Sequence, residues 1–190
     1  MKIFNKQLNK GFTLAETLVA TTIFTLSILA LFSNISKGIS DTNMVSNRIV
    51  GAYLAQEGIE YMRNFRDTYV LYDAGGADSG WTAFNSRLTS ASCTGANGCY
   101  FDDQAVSYSD ASQAIIAMTL NACGASCPQL LFSSGRYNYV LGGSTTNFRR
   151  KVTVTQPNAN ETVVTVTVSW TYKTTSDSVV FSERLYKWVQ

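Results

Sequence analysis

The sequence predicts an α+β protein, in which a long amino-terminal helix packs on an antiparallel β-meander near the carboxyl terminus. Three observations predict this fold class. An apolar run occupies residues 12–32, an apolar stripe with helical spacing continues to residue 66, and residues 148–190 alternate between apolar and hydroxylated side chains. The chain has 190 residues, of which 45% are hydrophobic and 15% charged, which suits one modest globular head and argues against intrinsic disorder.

The apolar run is long enough to cross a membrane. Residues 12–32 contain neither glycine nor proline and carry a single charged residue, Glu16. As a helix rising about 1.5 Å per residue, the run spans about 32 Å, which matches the hydrocarbon core of a bilayer. Lys2, Lys6 and Lys10 precede it without an acidic residue. The positive-inside rule therefore predicts a cytoplasmic amino terminus and an extracytoplasmic head.

Two kinds of polar side chain lie inside this run. The Glu16 carboxylate would cost about 2.5–3.5 kcal/mol at the centre of a membrane helix, and the run contains no cationic side chain that could pair with it. The carboxylate therefore needs a partner that the run itself does not supply. Threonines recur every fourth residue on one helical face, where their hydroxyls bond either their own backbone or an adjacent helix. They are Thr13, Thr17, Thr21 and Thr25.

The helix is expected to continue beyond the membrane as an amphipathic segment, residues 33–66. Apolar residues there recur at steps of three and four, which is the spacing of one helical face. They are Val45, Ile49, Ala52, Ala55, Ile59, Met62 and Phe65. We expect this stripe to dock on the sheet of the head. The charged residues beside it are spaced for surface ion pairs, and they are Glu57, Glu60, Arg63 and Asp67.

The extracytoplasmic head comprises residues 67–190, and its first part, residues 67–147, is expected to form variable loops. No apolar period persists there, and glycines punctuate the segment. Residues 111–120 have the composition of a short helix. Residues 129–132 and 136–141 are expected to be two strands joined by a turn.

The closing sheet is expected in the last part of the head. Residues 151–155 alternate in polarity, and residues 164–172 place valine, tryptophan and tyrosine on one face and threonine and serine on the other. A third strand is predicted over residues 178–188. Turns are expected at residues 156–160 and 174–177, and the apolar face of the meander should pack on the helix.

The four cysteines lie downstream of the apolar run and therefore outside the cytoplasm in the predicted orientation. Cysteines in that compartment are expected to form disulfides, and four of them allow three connectivities. We favour Cys93–Cys99 and Cys123–Cys127, whose short loops would be local clips on the variable segment. The chemical alternative is a four-thiolate zinc site, which fits the C-x5-C and C-x3-C spacings poorly.

Composition argues against catalysis and against a resident metal or cofactor. The chain contains no histidine, which removes the commonest general base and a common metal ligand. Acidic residues in loops make a calcium site conceivable, but hard cations need at least about six oxygen ligands, and no EF-hand spacing is present. These residues are Asp73, Asp78, Asp102 and Asp103. We expect solvated turns there, and we predict neither an enzyme, nor a metal site, nor a cofactor.

The charge distribution does not indicate a surface that coats nucleic acid. The formal net charge is +2, and it includes the lysines of residues 1–11. Three consecutive basic residues, Arg149, Arg150 and Lys151, enter a predicted strand and have the charge to contact DNA phosphates. A solvated strand edge is the favoured interpretation. Nucleic acid is thus not an expected partner, although the sequence does not exclude it.

The junction between the basic leader and the apolar run carries the most specific motif. Its residues, Lys10-Gly11-Phe12-Thr13-Leu14-Ala15-Glu16, resemble the recognition segment of type IV prepilins. The resemblance implies that a prepilin peptidase removes the leader, residues 1–11, by cutting after Gly11 and then methylates Phe12. It also implies that Glu16 pairs with the free α-amino group of Phe12 in a neighbouring subunit. Such a pair would select axial register rather than add net stability.

The same resemblance implies a structural subunit of a type IV pilus-like filament, assembled through residues 12–32. The long irregular head favours a minor pilin, and residues 54–67 resemble a stretch of minor-pilin-like proteins. The implied partners are prepilin peptidase, other pilin subunits, an inner-membrane assembly platform and, before assembly, membrane lipid. The implied location is the cytoplasmic (inner) membrane, as a single-pass protein, and then an extracellular filament or a periplasmic pseudopilus.

Two alternatives to the minor pilin stay open. The first is a pseudopilin of a type II secretion or DNA-uptake (competence) machine, which shares the same assembly chemistry. The second is a membrane-anchored extracytoplasmic binding module whose Gly11-Phe12 match is accidental. This second alternative predicts an uncut amino terminus and no filament.

Overall fold

A computed structural model describes residues 11–73, 75–102, 120–139, 142–172 and 174–187. Within them the chain is α+β, because a long amino-terminal helix is followed by an antiparallel sheet, as the sequence predicts. The chain divides into two compact units, Met1–Val45 and Ser46–Gln190.

The first unit contains the amino-terminal part of helix α1 (Leu14–Tyr72). Good helix formers such as leucine and alanine are frequent in its apolar run. Neither glycine nor proline occurs in α1 before Gly38, so nothing in the run interrupts the helical hydrogen bonds. The large apolar side chains of this part are exposed on the isolated chain.

In the second unit, one face of α1 packs on the sheet. The buried residues of α1 lie between positions 51 and 70, and Ala55, Met62 and Phe65 are wholly buried. The predicted apolar stripe is therefore confirmed at these three positions and at Ile59, which also belongs to the core. The helix ends at Tyr72, beyond the predicted end near Arg66.

The predicted stripe is wrong at its start. Val45 and Ile49 are 57% and 52% exposed. Val50 packs on the core while partly buried, and the first buried residue is Gly51, where a Cβ atom would lie only 2.6 Å from the ring of Trp170. The close approach of helix and sheet therefore depends on a residue without a side chain, which an apolar-periodicity argument does not count.

A second helix, α2 (Ala77–Ser90), lies in the segment for which the sequence predicts irregular loops, so that prediction is wrong there. Phe84 and Leu88 are one helical turn apart and wholly buried. Gly80 lets α2 approach α1, because a Cβ atom at this position would lie 2.1 Å from the Tyr69 carbonyl oxygen. The glycine, serines and threonines between the apolar residues lower the helix propensity of this segment.

Over the described residues the sheet has seven strands, all paired antiparallel. They are β1 (Cys99–Phe101), β2 (Leu120–Ala122), β3 (Gln129–Ser133), β4 (Arg136–Asn138), β5 (Ser144–Asn158), β6 (Glu161–Tyr172) and β7 (Thr175–Tyr186). The central strand is β5, which pairs with β1 and β3 as well as with β6. In turn β2 pairs with β1, β4 with β3 and β7 with β6.

Strands β5, β6 and β7 form the predicted meander with longer strands and shorter turns than expected. β5 runs to Asn158 through residues predicted to be a turn, and β7 begins at Thr175, inside the second predicted turn. The register places Val166 of β6 opposite Val152 on one side and Phe181 on the other. These side chains share the face of the sheet that packs on α1.

The predicted hairpin before the meander is confirmed as β3 and β4, although β4 ends at Asn138. The short helix expected over residues 111–120 lies outside the described residues, except for Leu120, where β2 begins.

Arg150 is a core residue. The sequence favours a solvated edge for Arg149, Arg150 and Lys151, and this prediction is wrong for Arg150, whose side chain is 0% exposed. Alternation along β5 turns it towards α1, where its Nη1 donates to the Glu57 carboxylate at 2.8 Å. Its guanidinium carbon also lies 3.9 Å from the centre of the Phe101 ring.

Aromatic side chains surround this ion pair. Phe101 stacks on Tyr61 of α1 with ring centroids 3.8 Å apart. Burial raises the pKa of Tyr139 to about 12, so its hydroxyl stays neutral beside Arg150. The sequence predicts that Glu57 takes part in an exposed ion pair on the helix surface. In the structure Glu57 instead pairs with Arg150 and so joins α1 to the central strand.

The structure contains two disulfides, Cys93–Cys99 and Cys123–Cys127, which is the pairing that the short loops favour. The first joins the end of α2 to β1, and the second lies between β2 and β3. The backbone N–H of Cys123 donates to the Gly98 carbonyl oxygen at 3.0 Å. The two clipped loops are therefore in direct contact.

Candidate functional site

The residues of the most specific motif lie at the start of α1. Gly11, Phe12 and Thr13 precede its first residue, Leu14. Phe12 is 82% exposed. Among the residues that the structure describes, and apart from the chain neighbours of Gly11, no atom lies within 4 Å of a Cβ position built on Gly11. The Gly11-Phe12 peptide bond is thus open to an enzyme at the point where the helix begins.

Thr13 and Glu16 form a capping box at this helix start. The Thr13 hydroxyl oxygen accepts a hydrogen bond from the Glu16 backbone N–H at 3.3 Å. A Glu16 carboxylate oxygen accepts from the Thr13 backbone N–H and from the Thr13 hydroxyl, each at 3.1 Å. The pair satisfies backbone N–H groups that have no partner inside the helix. It also places the carboxylate at the positive end of the helix dipole.

Sequence reasoning misses this capping box, although the T-x-x-E spacing of residues 13–16 is its usual signature. The box gives Glu16 hydrogen-bond partners on its own chain. A subunit in the membrane therefore has a local means of satisfying this carboxylate before any neighbour is present. The pairing of Glu16 with Phe12 of a neighbouring subunit stays a prediction.

The threonine hydroxyls of the apolar run are also satisfied locally. Those of Thr17 and Thr25 donate to backbone carbonyl oxygens three residues earlier at 2.9 Å, and that of Thr21 does so at 3.0 Å. The self-bonded alternative is thus the one that the structure shows. Because no hydroxyl donor of these residues needs another helix, this face of α1 can lie against lipid tails.

The remaining surface of this part of α1 is apolar and uncovered. Large side chains such as Leu18, Ile23 and Phe24 are more than half exposed. By length and composition the helix is able to cross a membrane. An exposed apolar surface of this extent is unfavourable in water, so lipid or other apolar helices must cover it.

Residues 6–32 match the family model described as the prokaryotic N-terminal methylation motif. The match begins in the basic leader, includes Gly11 to Glu16 and ends with the apolar run. The chain carries the type IV pilin and pseudopilin signature. Pilin-type proteins with this signature are structural subunits rather than enzymes.

The signature supports a type IV pilin-like or pseudopilin subunit, without distinguishing between the two. The apolar helix near the amino terminus and the disulfide-bonded carboxyl-terminal domain fit a membrane-anchored prepilin. For this pilin-like chain the motif also implies processing by prepilin peptidase and assembly with other pilin subunits. Comparisons with curated proteins and with solved structures find no significant match.

Two of the acidic residues considered as calcium ligands have other partners in this pilin-like chain. The Asp73 carboxylate accepts from the Gly75 backbone N–H at 2.8 Å, and Asp78 pairs with Lys187 at the same distance. Asp103 lies outside the described residues. Among the residues that the structure describes, no three histidine, cysteine or acidic residues are grouped closely enough to hold a metal ion.

Proposed function

We propose that this chain is a minor pilin, a structural subunit of a type IV pilus-like filament. Residues 1–11 are a leader that is removed, and residues 12–32 cross the membrane and later form the filament core. Residues 33–66 continue the helix, and residues 67–190 form the extracytoplasmic head. The observation that carries the proposal is the exposed Gly11-Phe12 bond, which precedes an uncovered apolar helix inside the matched motif.

The processing step is hydrolysis by a prepilin peptidase at the cytoplasmic side of the inner membrane. Water adds across the Gly11-Phe12 amide, which leaves a carboxylate on Gly11 of the leader and an α-amino group on Phe12. The neutral amine then attacks the methyl group of a sulfonium methyl donor, so that a C–N bond forms, the donor leaves as a thioether and the nitrogen releases a proton. The new terminus adjoins Thr13, the N-cap residue of α1, so a positive charge and the Glu16 carboxylate lie near the same helix end.

Assembly transfers the helix from lipid to neighbouring helices with the help of an inner-membrane platform. Lipid tails and apolar helices cover the exposed side chains about equally well, so the apolar surface alone does not select one register. Pairing of Glu16 with the Phe12 amine of a neighbour does select it, because a misplaced subunit leaves a charge without a partner. We therefore assign the register of the filament to Glu16.

The signature supports a second candidate equally, a pseudopilin of a type II secretion or DNA-uptake machine. It would use the same processing step and the same pairing. In both cases the precursor is a single-pass protein with a cytoplasmic amino terminus, and the product is an extracellular filament or a periplasmic pseudopilus. Its secretion or uptake partners would distinguish the second candidate from the first.

Glu16→Gln separates the two roles of this residue. Glutamine retains the capping box, because Glu and Gln both serve at this position, but it carries no charge to pair with a neighbour's amine. We expect the variant to be processed and to remain in the membrane. Its amount in filaments sheared from cells should fall at least about tenfold, which quantitative immunoblotting of membrane and sheared fractions measures.

Thr13→Val is the matched variant, because it removes the capping hydroxyl and keeps the carboxylate. It should destabilise the helix start by about 1 kcal/mol. Assembly should stay near the wild-type level, since the charge of Glu16 is intact. If Glu16→Gln enters filaments as efficiently as the wild type, the register role of Glu16 is wrong.

A further inference from the structure

A groove of about 350 Å³ lies on the face of the sheet that points away from α1. Its floor is made of outward-facing side chains from three neighbouring strands, namely Arg149, Lys151, Thr167, Ser169 and Ser178. The sheet register places Ser169 between Arg149 and Ser178, and it places Thr167 opposite Lys151. Two cationic side chains thus alternate with hydroxyl groups on one surface.

The two disulfide-closed loops form the wall of this groove. Asn97 belongs to the Cys93–Cys99 loop and Ser126 to the Cys123–Cys127 loop, and both residues line the groove. The hydrogen bond from Cys123 to the Gly98 carbonyl oxygen joins the loops. The disulfides are local in sequence, but together they build a continuous wall beside the cationic floor.

The wall is fixed to the floor at two points. Arg149 Nη1 donates to the Cys127 carbonyl oxygen at 2.5 Å, and the guanidinium has further N–H groups for a ligand. Gly98 has a φ of +68°, and a Cβ atom on it would lie 2.4 Å from the Val152 carbonyl oxygen of β5. The Arg149 hydrogen bond holds the second loop on β5. The first loop lies close against the same strand, where the Val154 backbone N–H donates to the Cys93 carbonyl oxygen at 2.9 Å, so the groove is preorganised.

The charge of the groove is not balanced by its own residues. Arg149, Lys151, Thr167 and Ser169 are half-buried. None of the described residues that line the groove is acidic. In the part of the chain that the structure describes, neither Arg149 nor Lys151 pairs with a carboxylate. Partly desolvated cations without a counter-charge favour an anionic ligand.

We propose that this groove binds an acidic saccharide. A carboxylate or phosphate group of the saccharide accepts hydrogen bonds from Arg149 and Lys151. The hydroxyl groups of its ring exchange hydrogen bonds with Thr167, Ser169 and Asn97, whose side chains are all able both to donate and to accept. The cations thus supply affinity for the charge, and the hydroxyl and amide groups recognise the sugar.

The lining favours a saccharide over a nucleic acid. Proteins that bind nucleic acid commonly combine many Lys and Arg side chains along the phosphate backbone with aromatic side chains that stack on bases. Among the described residues that line this groove, Arg149 and Lys151 are the only basic ones, and none is aromatic.

Binding is measured on the full chain in micelles of a polyoxyethylene detergent, whose headgroup has neither charge nor sugar ring. The outcome therefore does not depend on filament assembly. The probes are a hyaluronan tetrasaccharide, which carries carboxylates, and a phosphorylated mannose oligosaccharide. We expect at least one of them to bind. The carboxyl-reduced or dephosphorylated form of the probe that binds should bind at least about tenfold more weakly, because it lacks the charged acceptor.

Lys151→Gln and Arg149→Gln should each weaken binding about tenfold, because each removes a charged donor. Lys151→Gln is the decisive variant, since Arg149 also holds the Cys127 loop. Arg136→Gln is the control, because Arg136 is an exposed cation that lines a different groove, beside Val50 of α1. Three results would overturn the proposal. They are no binding of either probe, a Lys151→Gln variant that binds the probe as tightly as the wild type does, and tighter binding of a short DNA duplex than of either saccharide.

Discussion

Replacing Glu57 with alanine is expected to lower the free energy of unfolding of the head by about 3 kcal/mol. The change leaves the fully buried Arg150 guanidinium without the carboxylate that lies 2.8 Å away. Removing one partner of a buried ion pair commonly costs about 3–5 kcal/mol. The lower value applies because the Glu57 side chain is 36% exposed, so water reaches one end of the pair. Urea unfolding of the full chain in micelles, followed by tryptophan fluorescence, measures the change.

Glu60→Ala is the matched control, because Glu60 lies one turn along α1 and its ion pair with Arg63 is largely exposed. It should change the free energy of unfolding by less than about 1 kcal/mol. Glu57→Leu combined with Arg150→Met replaces both charges by apolar side chains and should recover most of the loss. A Glu57→Ala variant as stable as Glu60→Ala would show that the buried pair does not hold α1 on the sheet.

The second large effect is expected at Gly11. Gly11→Leu should lower the rate of cleavage between residues 11 and 12 at least about tenfold, because a branched side chain would then lie beside a peptide bond whose amino-terminal residue now has none. The variant and the wild type are each co-expressed with a prepilin peptidase in bacterial membranes. Intact mass then gives the ratio of precursor to mature chain.

Gly38→Leu controls for a bulky side chain elsewhere in α1, because among the described residues a Cβ atom on Gly38 would meet nothing within 4 Å apart from its chain neighbours and the nearby backbone of its own helix. It should be cleaved like the wild type. Wild-type cleavage of Gly11→Leu at the same bond would contradict the role of Gly11. Loss of cleavage in Gly38→Leu would show that the assay reports membrane insertion instead.

The strands of the meander were predictable because their core face is apolar over a long stretch. Val164, Val166, Val168 and Trp170 alternate with hydroxylated residues, and a period of two has one structural interpretation. The same alternation on β5 puts Arg150 on the core face. The sequence nevertheless favours a solvated position for Arg150, because arginine is rarely buried without a partner. Its partner, Glu57, lies far away in the sequence.

Helix α2 and the start of the docking stripe were not predictable from apolar spacing alone. Both depend on glycines, since Gly80 brings α2 onto α1 and Gly51 admits the ring of Trp170. A missing side chain contributes nothing to an apolar count, yet it decides how closely two elements approach. Which glycines have this role becomes apparent only once the opposing element is known.

The two candidate sites also differ in how far the sequence predicts them. Gly11, Phe12 and Glu16 are found from sequence because the proposed cleavage, methylation and pairing would all depend on a short contiguous segment. The capping box is also visible there as T-x-x-E. The cationic groove cannot be found from the sequence in this way. It joins outward-facing residues of three strands to two loops, and no local pattern predicts that Asn97 and Arg149 line one surface.

The most direct test of the pilin assignment is the mass and sequence of the amino-terminal peptide of the protein recovered from its native membranes or from shed filaments. We predict a peptide that begins at Phe12 and carries one additional methyl group on its α-amine. An intact Met1, or a terminus beyond Phe32, would contradict the assignment and favour a membrane-anchored binding module or an ordinary secreted domain.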